Sequence, residues 1–235
     1  MLATGNHPEP SFGESDIKAD LSLYRKGGPG EDAFALSDKE ELKESLAAAS
    51  DTHKHTARTA WPWITALIEV RTDITDSPFV HNTGRVTLNN TAAGINACAQ
   101  ITTYAAELQR RQHRTFVYTA CVVRNLVWLM RWDRAGAVVA RAFDYLEHPQ
   151  YFFKFIYRIA RASPEAQGYD TSATLVDKSS PYLRSFEAYQ DTLMKGSWYY
   201  AYANEILSST KSHPIYEVHT QWFDESFHLT LRWTG

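Results

Sequence analysis

The chain has 235 residues, of which 44% are hydrophobic and 22% charged, with a formal net charge of −3. Those proportions predict a soluble globular protein of one large domain or one and a half ordinary ones. The near-neutral balance removes the electrostatic basis for strong nucleic-acid binding, and no apolar run approaches the roughly 18 residues a membrane span needs.

Residues 1–16 are polar and Pro-containing; they read as a flexible leader without the apolar stretch of a secretory signal, so the expected location is intracellular, cytoplasmic or nuclear. A short alternating strand is predicted over residues 17–24, ended by Lys26-Gly27-Gly28-Pro29-Gly30. Ser37 with Glu40 three positions on is a capping box, opening a polar helix that ends near Ser50. A polar connector holding His53 and His55 follows. Trp61 to Val70 is apolar on both faces, as an interior strand is. Thr72 to Arg85 reads as a loop.

Residues 90–112 form a long helix with Ile95, Cys98, Thr102, Ala105 and Leu108 on one broad face. Phe116–Val123 and Leu126–Trp132 are then two apolar strands, and Asp133-Arg134-Ala135-Gly136 is a tight turn into a third, forming an antiparallel meander. Residues 149–162 are helical and aromatic, Ser163 to Gly168 marks a break, and Ser180-Pro181 opens a Tyr-rich helix running to about Leu207. Ile215–Trp222 and Phe227–Trp233 complete the chain as a hairpin joined by Asp224-Glu225-Ser226. The expected fold class is α/β: a mixed sheet flanked by helices, with a helical, Tyr-rich C-terminal extension and a terminal hairpin. The corresponding organisation is a leader (1–16), an α/β domain (17–163) and a helix-plus-hairpin region (180–235). Cys98 and Cys121, the two cysteines, sit among apolar neighbours and read as free thiols.

The words Arg131-Trp132-Asp133-Arg134-Ala135-Gly136 and Phe143-Asp144-Tyr145, with Arg110-Arg111-Gln112-His113-Arg114 upstream, resemble the fungal-type protein kinase family. In that family such a block lies ahead of the ATP-binding lobes, so the resemblance implies a non-catalytic N-terminal region, regulatory or binding, with a C-terminal kinase domain as its partner in cis. The Gly-rich loop, strand lysine, catalytic-loop Asp and metal-binding Asp of a kinase are not found in the sequence. The expectation is therefore an N-terminal fragment, a truncated gene product or a standalone relic, with residues 180–235 as the possible start of a kinase N-lobe.

The order of elements also resembles the PD-(D/E)XK restriction-endonuclease-like layout: a strand bearing Asp20, a strand ending in Ile68-Glu69-Val70-Arg71, a long helix bearing Gln100, then further strands. In that layout two carboxylates hold Mg or Mn through oxygen, and a lysine orients the attacking water. Glu69 and Arg71 lie two apart, on one side of a strand. The resemblance thus implies Asp20 and Glu69 as metal ligands, and Asp20, Glu69, Arg71 and Gln100 as a degenerate catalytic set. Ala19 stands where the motif has Pro, and Arg71 where it has Lys; a guanidinium stays protonated and presents a planar fork, which undercuts water activation. No cofactor is expected unless that site is functional, and nucleic acid is a possible partner that the charge does not indicate. The cluster Arg110, Arg111, His113 and Arg114 is expected to serve the helix end, Arg131, Asp133 and Arg134 to lock a turn, and Trp198, Tyr199, Tyr200 and Tyr202 to pack helices.

Overall fold

The structure is a computed structural model, and it describes residues 2–4, 19–28, 30, 59–81, 84–177, 179–210, 214–222 and 225–229. The helix expected over residues 37–50 and the His53–His55 connector lie outside the described residues. The chain divides into two compact units, Met1–Tyr169 and Asp170–Gly235.

The first unit is built on a seven-stranded mixed sheet. Its strands are β1 (Leu2–Thr4), β2 (Leu21–Tyr24), β3 (Ile64–Arg71), β4 (Phe116–Val123), β5 (Leu126–Asp133), β6 (Gly136–Val139) and β7 (Phe143–Asp144). They lie in the order β1-β2-β3-β4-β5-β6, with β7 also paired to β5. Among the described residues of this sheet only β3 and β4 run parallel; every other pairing is antiparallel. A parallel pair needs a crossover, and α1 (Ala92–Gln112) supplies it. Thr91 caps its start, accepting from the Gly94 N–H at 3.1 Å, and His113 ends it in the left-handed region at φ 49°.

Alternation along the strands sorts the core into two layers. Leu67, Val117, Cys121, Trp128, Met130 and Trp132 face α1, where Ile101, Tyr104, Ala105 and Leu108 meet them. Ala66, Ile68, Ala120 and Val127 face the other way, toward α2 (Pro149–Arg161), which contributes Ile159. β3 is buried on both faces over its first six residues, an apolar run interrupted by Thr65 and Glu69. The Trp132 indole N–H, buried, donates to Thr119 Oγ1 at 2.8 Å.

The meander expected from the sequence is present. Asp133 and Gly136 are register partners across a two-residue turn, and Asp133 Oδ1 accepts from the Ala135 N–H at 2.9 Å. Arg131 pairs with Asp133 at 3.0 Å and lies over the Phe116 ring at 4.1 Å, so this cluster locks the turn. At the β4–β5 turn Arg124 takes φ 54°, a conformation that glycine usually supplies.

Several boundaries differ from expectation. Leu2–Thr4, read as flexible leader, adds an antiparallel edge strand to β2. Trp61–Trp63, read as strand, is a 3-10 turn, because Pro62 has no N–H to give a sheet ladder.

In the second unit the Tyr-rich stretch is two helices, α3 (Pro181–Thr192) and α4 (Trp198–Ser209), broken where Gly196 takes φ 90°. Ser180 and Ser197 cap them, accepting from Tyr182 and Tyr200 N–H groups. A three-stranded sheet of β8 (Ala173–Leu175), β9 (Tyr216–Trp222) and β10 (Glu225–Leu229) has the order β10-β9-β8. Glu225 pairs with Trp222, so Glu225 and Ser226, expected in the hairpin turn, are strand residues. β8 was not legible, being three residues long.

Candidate functional site

Antiparallel pairing of β2 with β3 brings the start of one strand beside the end of the other. Leu21 is the register partner of Ile68, so Asp20, one residue earlier, reaches the last turn of β3. There Asp20 Oδ2 accepts from the Val70 N–H at 2.8 Å. Glu69 and Arg71 both point toward α1, and Arg71 Nη2 lies 2.6 Å from Glu69 Oε1. The same Nη2 donates to Gln100 Oε1 on α1, and Gln100 Nε2 donates to the Tyr104 hydroxyl one turn further on. Asp20, Glu69, Arg71 and Gln100 thus meet at one end of the sheet. Tyr104, absent from the sequence reading, joins them; its signal was the four-residue spacing from Gln100, which puts both on one helix face.

The site is closed rather than open. The Glu69 side chain is 4% exposed and that of Arg71 26%. Burial first, and then the neighbouring Asp20 carboxylate, push the Glu69 carboxyl up to about 8, against the lowering pull of Arg71. Glu69 Oε2 is buried with no donor partner. A protonated Glu69 carboxyl, hydrogen-bonded with Asp20, accounts for that orphaned oxygen beside the Arg71 guanidinium. Burial pushes the Tyr104 phenol up to about 12, so it remains a neutral hydroxyl.

The oxygens that would hold Mg or Mn are in part already engaged within the chain. Mg or Mn takes one or two free carboxylates and completes its shell with water or substrate oxygens. Two carboxyls converge here, but one Asp20 oxygen is held by Val70 and one Glu69 oxygen by Arg71, so a fixed cation already stands among them. Among the described residues no group of three or more His, Cys, Asp or Glu side chains is placed to hold a metal ion.

In the basic cluster at the end of α1, Arg114 has a part beyond the one expected. Arg110 and Arg111 pair with Glu107 at 2.9 and 2.8 Å. Arg114 is buried and ties the end of α1 to β3: it donates to the carbonyls of Ile64, Thr65 and Gln167, to Gln112 Oε1 and to the Tyr169 hydroxyl, all within 2.7–3.1 Å. Its guanidinium also lies 4.0 Å from the Tyr169 ring centre. Gln112 in turn donates to the carbonyls of Trp61 and Ile64. These two side chains satisfy the backbone where β3 begins, a position no sheet neighbour fully covers. Sequence reading missed Tyr169 as the partner because contact across 55 positions leaves no local signal.

Cys98 and Cys121 are free thiols, Cys121 buried on β4 beside Glu69 in the parallel register. Trp198 and Tyr202 on α4 stack on each other at 5.3 Å while staying largely exposed, rather than packing into a core. Among the described residues no helix is long and apolar enough to cross a membrane.

Fold and site together define a mixed α/β domain with a self-neutralised carboxyl–guanidinium cluster at one end of its sheet. A family model described as fungal protein kinase matches residues 65–195, from β3 through α3. That is more than half of the chain, and the chain belongs to the fungal protein kinase family. No curated protein and no solved structure matches the chain.

Proposed function

We propose that this chain is a non-catalytic region of a fungal-type protein kinase, a regulatory or binding module whose nuclease-like site has been closed by Arg71. The observation that carries the reading is the 2.6 Å contact of Arg71 with Glu69. The guanidinium brings from within the chain the positive charge that a nuclease of this layout takes from a metal. Membership of the kinase family and the Arg131–Gly136 block support a place beside kinase lobes. On this reading the partner is a kinase domain, carried in cis, and the α/β unit is the surface it recognises.

The test has two arms. Mg and Mn are titrated into the chain while its thermal midpoint is followed, and the chain is added to a kinase domain of the same family while phosphoryl transfer is measured. The reading expects no metal-dependent rise in midpoint, and a saturable change in the kinase rate. No binding to the kinase domain overturns the regulatory role.

The alternative is a metal-dependent nuclease in which Arg71 stabilises phosphate charge. What favours it is the convergence of Asp20, Glu69 and Gln100 with a buried, unpartnered Glu69 Oε2. It requires DNA or RNA cleavage with Mg or Mn that Glu69→Ala abolishes.

A further inference from the structure

α2 covers the second face of the large sheet only in part. Its single fully buried side chain is Ile159, and Leu129, Phe143, Tyr118 and Phe155 are left half-buried between helix and sheet. A helix seated directly on a sheet closes such space with interdigitated side chains. Here a cavity of about 580 Å³ stands open between them, inside the range of about 300–1,000 Å³ typical of small-molecule sites. Ring pairs frame its two sides: Tyr118 against Phe155 and Phe143 against Tyr151, both edge to face.

The charged groups of the cavity are few and of one sign. Lys154 and Arg158 line it one helical turn apart. Neither has an ion pair or a hydrogen bond among the described residues, whereas Arg71, Arg110, Arg111 and Arg131 each hold a carboxylate. Like charges at this spacing repel, and an anion between them removes the repulsion. Apart from the Tyr118 and Tyr151 hydroxyls, a nucleobase would find walls of aliphatic and aromatic carbon that leave most of its ring nitrogens and carbonyls unpaired. An acyl or aryl body has none to leave unpaired.

We propose that the cavity between α2 and the sheet binds a small anionic amphiphile, with its apolar body between the ring pairs and its anionic head on Lys154 and Arg158. This site is separate from the Asp20–Glu69–Arg71 cluster, which lies on the α1 face.

The experiment uses the full chain and the fluorescence of bound anilinonaphthalene sulfonate, itself an aryl anion, displaced by monomeric dodecanoate, dodecyl phosphate, dodecyltrimethylammonium, acetate, inorganic phosphate or adenosine monophosphate. The expected result is saturable 1:1 displacement by dodecanoate or dodecyl phosphate, with the two anions separating a carboxylate from a phosphate preference. The cationic amphiphile and the headless ions are expected to fail. Lys154→Glu/Arg158→Glu, at two exposed positions that leave circular dichroism unchanged, is expected to weaken dodecanoate by about tenfold or more, a loss of about 1.4 kcal/mol per tenfold. Ala166→Trp, at the exposed rim of the cavity, is expected to block it. The proposal is overturned if no amphiphile displaces the probe, if the cationic one displaces it equally, if adenosine monophosphate binds tighter than dodecanoate, or if both variants bind as the parent does.

Discussion

Replacing Glu69 by Gln separates charge from shape at the centre of the site. The amide is nearly isosteric with a protonated carboxyl: its oxygen can accept from Arg71, and its NH2 can donate to Asp20. In the folded chain burial, then Asp20, hold the Glu69 carboxyl up to about 8, against an ordinary value of 4.5. A carboxyl whose folded value is raised binds its proton more tightly when folded, so its contribution to stability is complete below 4.5 and is lost as pH rises toward 8. At about 1.4 kcal/mol for each pH unit, the whole interval amounts to about 4–5 kcal/mol. Gln carries no proton to lose, so Glu69→Gln should match the parent at about pH 5 and exceed it by several kcal/mol at about pH 8.5.

The assay is urea unfolding at a series of pH values, followed by tryptophan fluorescence, since Trp61, Trp128 and Trp132 are buried in the unit that holds Glu69. Subtracting variant from parent cancels the titrating groups that are not coupled to Glu69 and leaves the response of the site itself. A difference that stays constant from about pH 5 to about pH 8, or a variant less stable than the parent above it, refutes the account of a buried, proton-sharing pair.

Four further outcomes are expected. Arg114→Met removes a buried hub that serves three backbone carbonyls and two side chains, and should cost about 3–5 kcal/mol in the same unfolding assay. Gly168→Ala puts a Cβ 2.0 Å from the Phe116 carbonyl oxygen at a backbone φ of 95°, so a loss of about 3 kcal/mol is expected, and a variant of parental midpoint would show that this loop is not held as described. Trp132→Phe strips the buried Thr119 hydroxyl of its indole donor and should cost about 1–3 kcal/mol by the same measurement. Burial pushes the Cys121 thiol up to about 12, so a Cys98→Ser variant should react with a thiol reagent near neutral pH only when unfolded, and prompt labelling of native protein would contradict that burial.

Local pattern in the sequence was enough for the elements whose causes are local. The apolar runs Phe116–Val123 and Leu126–Trp132, the Asp133–Gly136 turn between strands and the helix beginning beside Thr91 all stand where the chain's own periodicity puts them. The two-residue spacing of Glu69 and Arg71 likewise set them on one face of a strand whatever surrounded it. Pro62 and Gly196 are visible as residues, yet their consequences, a 3-10 turn and a broken helix, run against the pattern of the residues around them.

What lay beyond the sequence depended on neighbours distant along the chain. Arg71 could have faced solvent, a phosphate or a metal; the packing of α1 over β3 turned it onto Glu69 and Gln100. Arg114 reads as one member of a basic run, but the approach of β3 offers it carbonyls some 50 positions away. The cavity beneath α2 arises from how far a helix stands from a sheet, a distance no single residue encodes. Periodicity belongs to the chain itself, whereas desolvation, charge pairing and empty volume belong to the assembled surroundings, and these decide whether two carboxyls and an arginine grip a metal or one another.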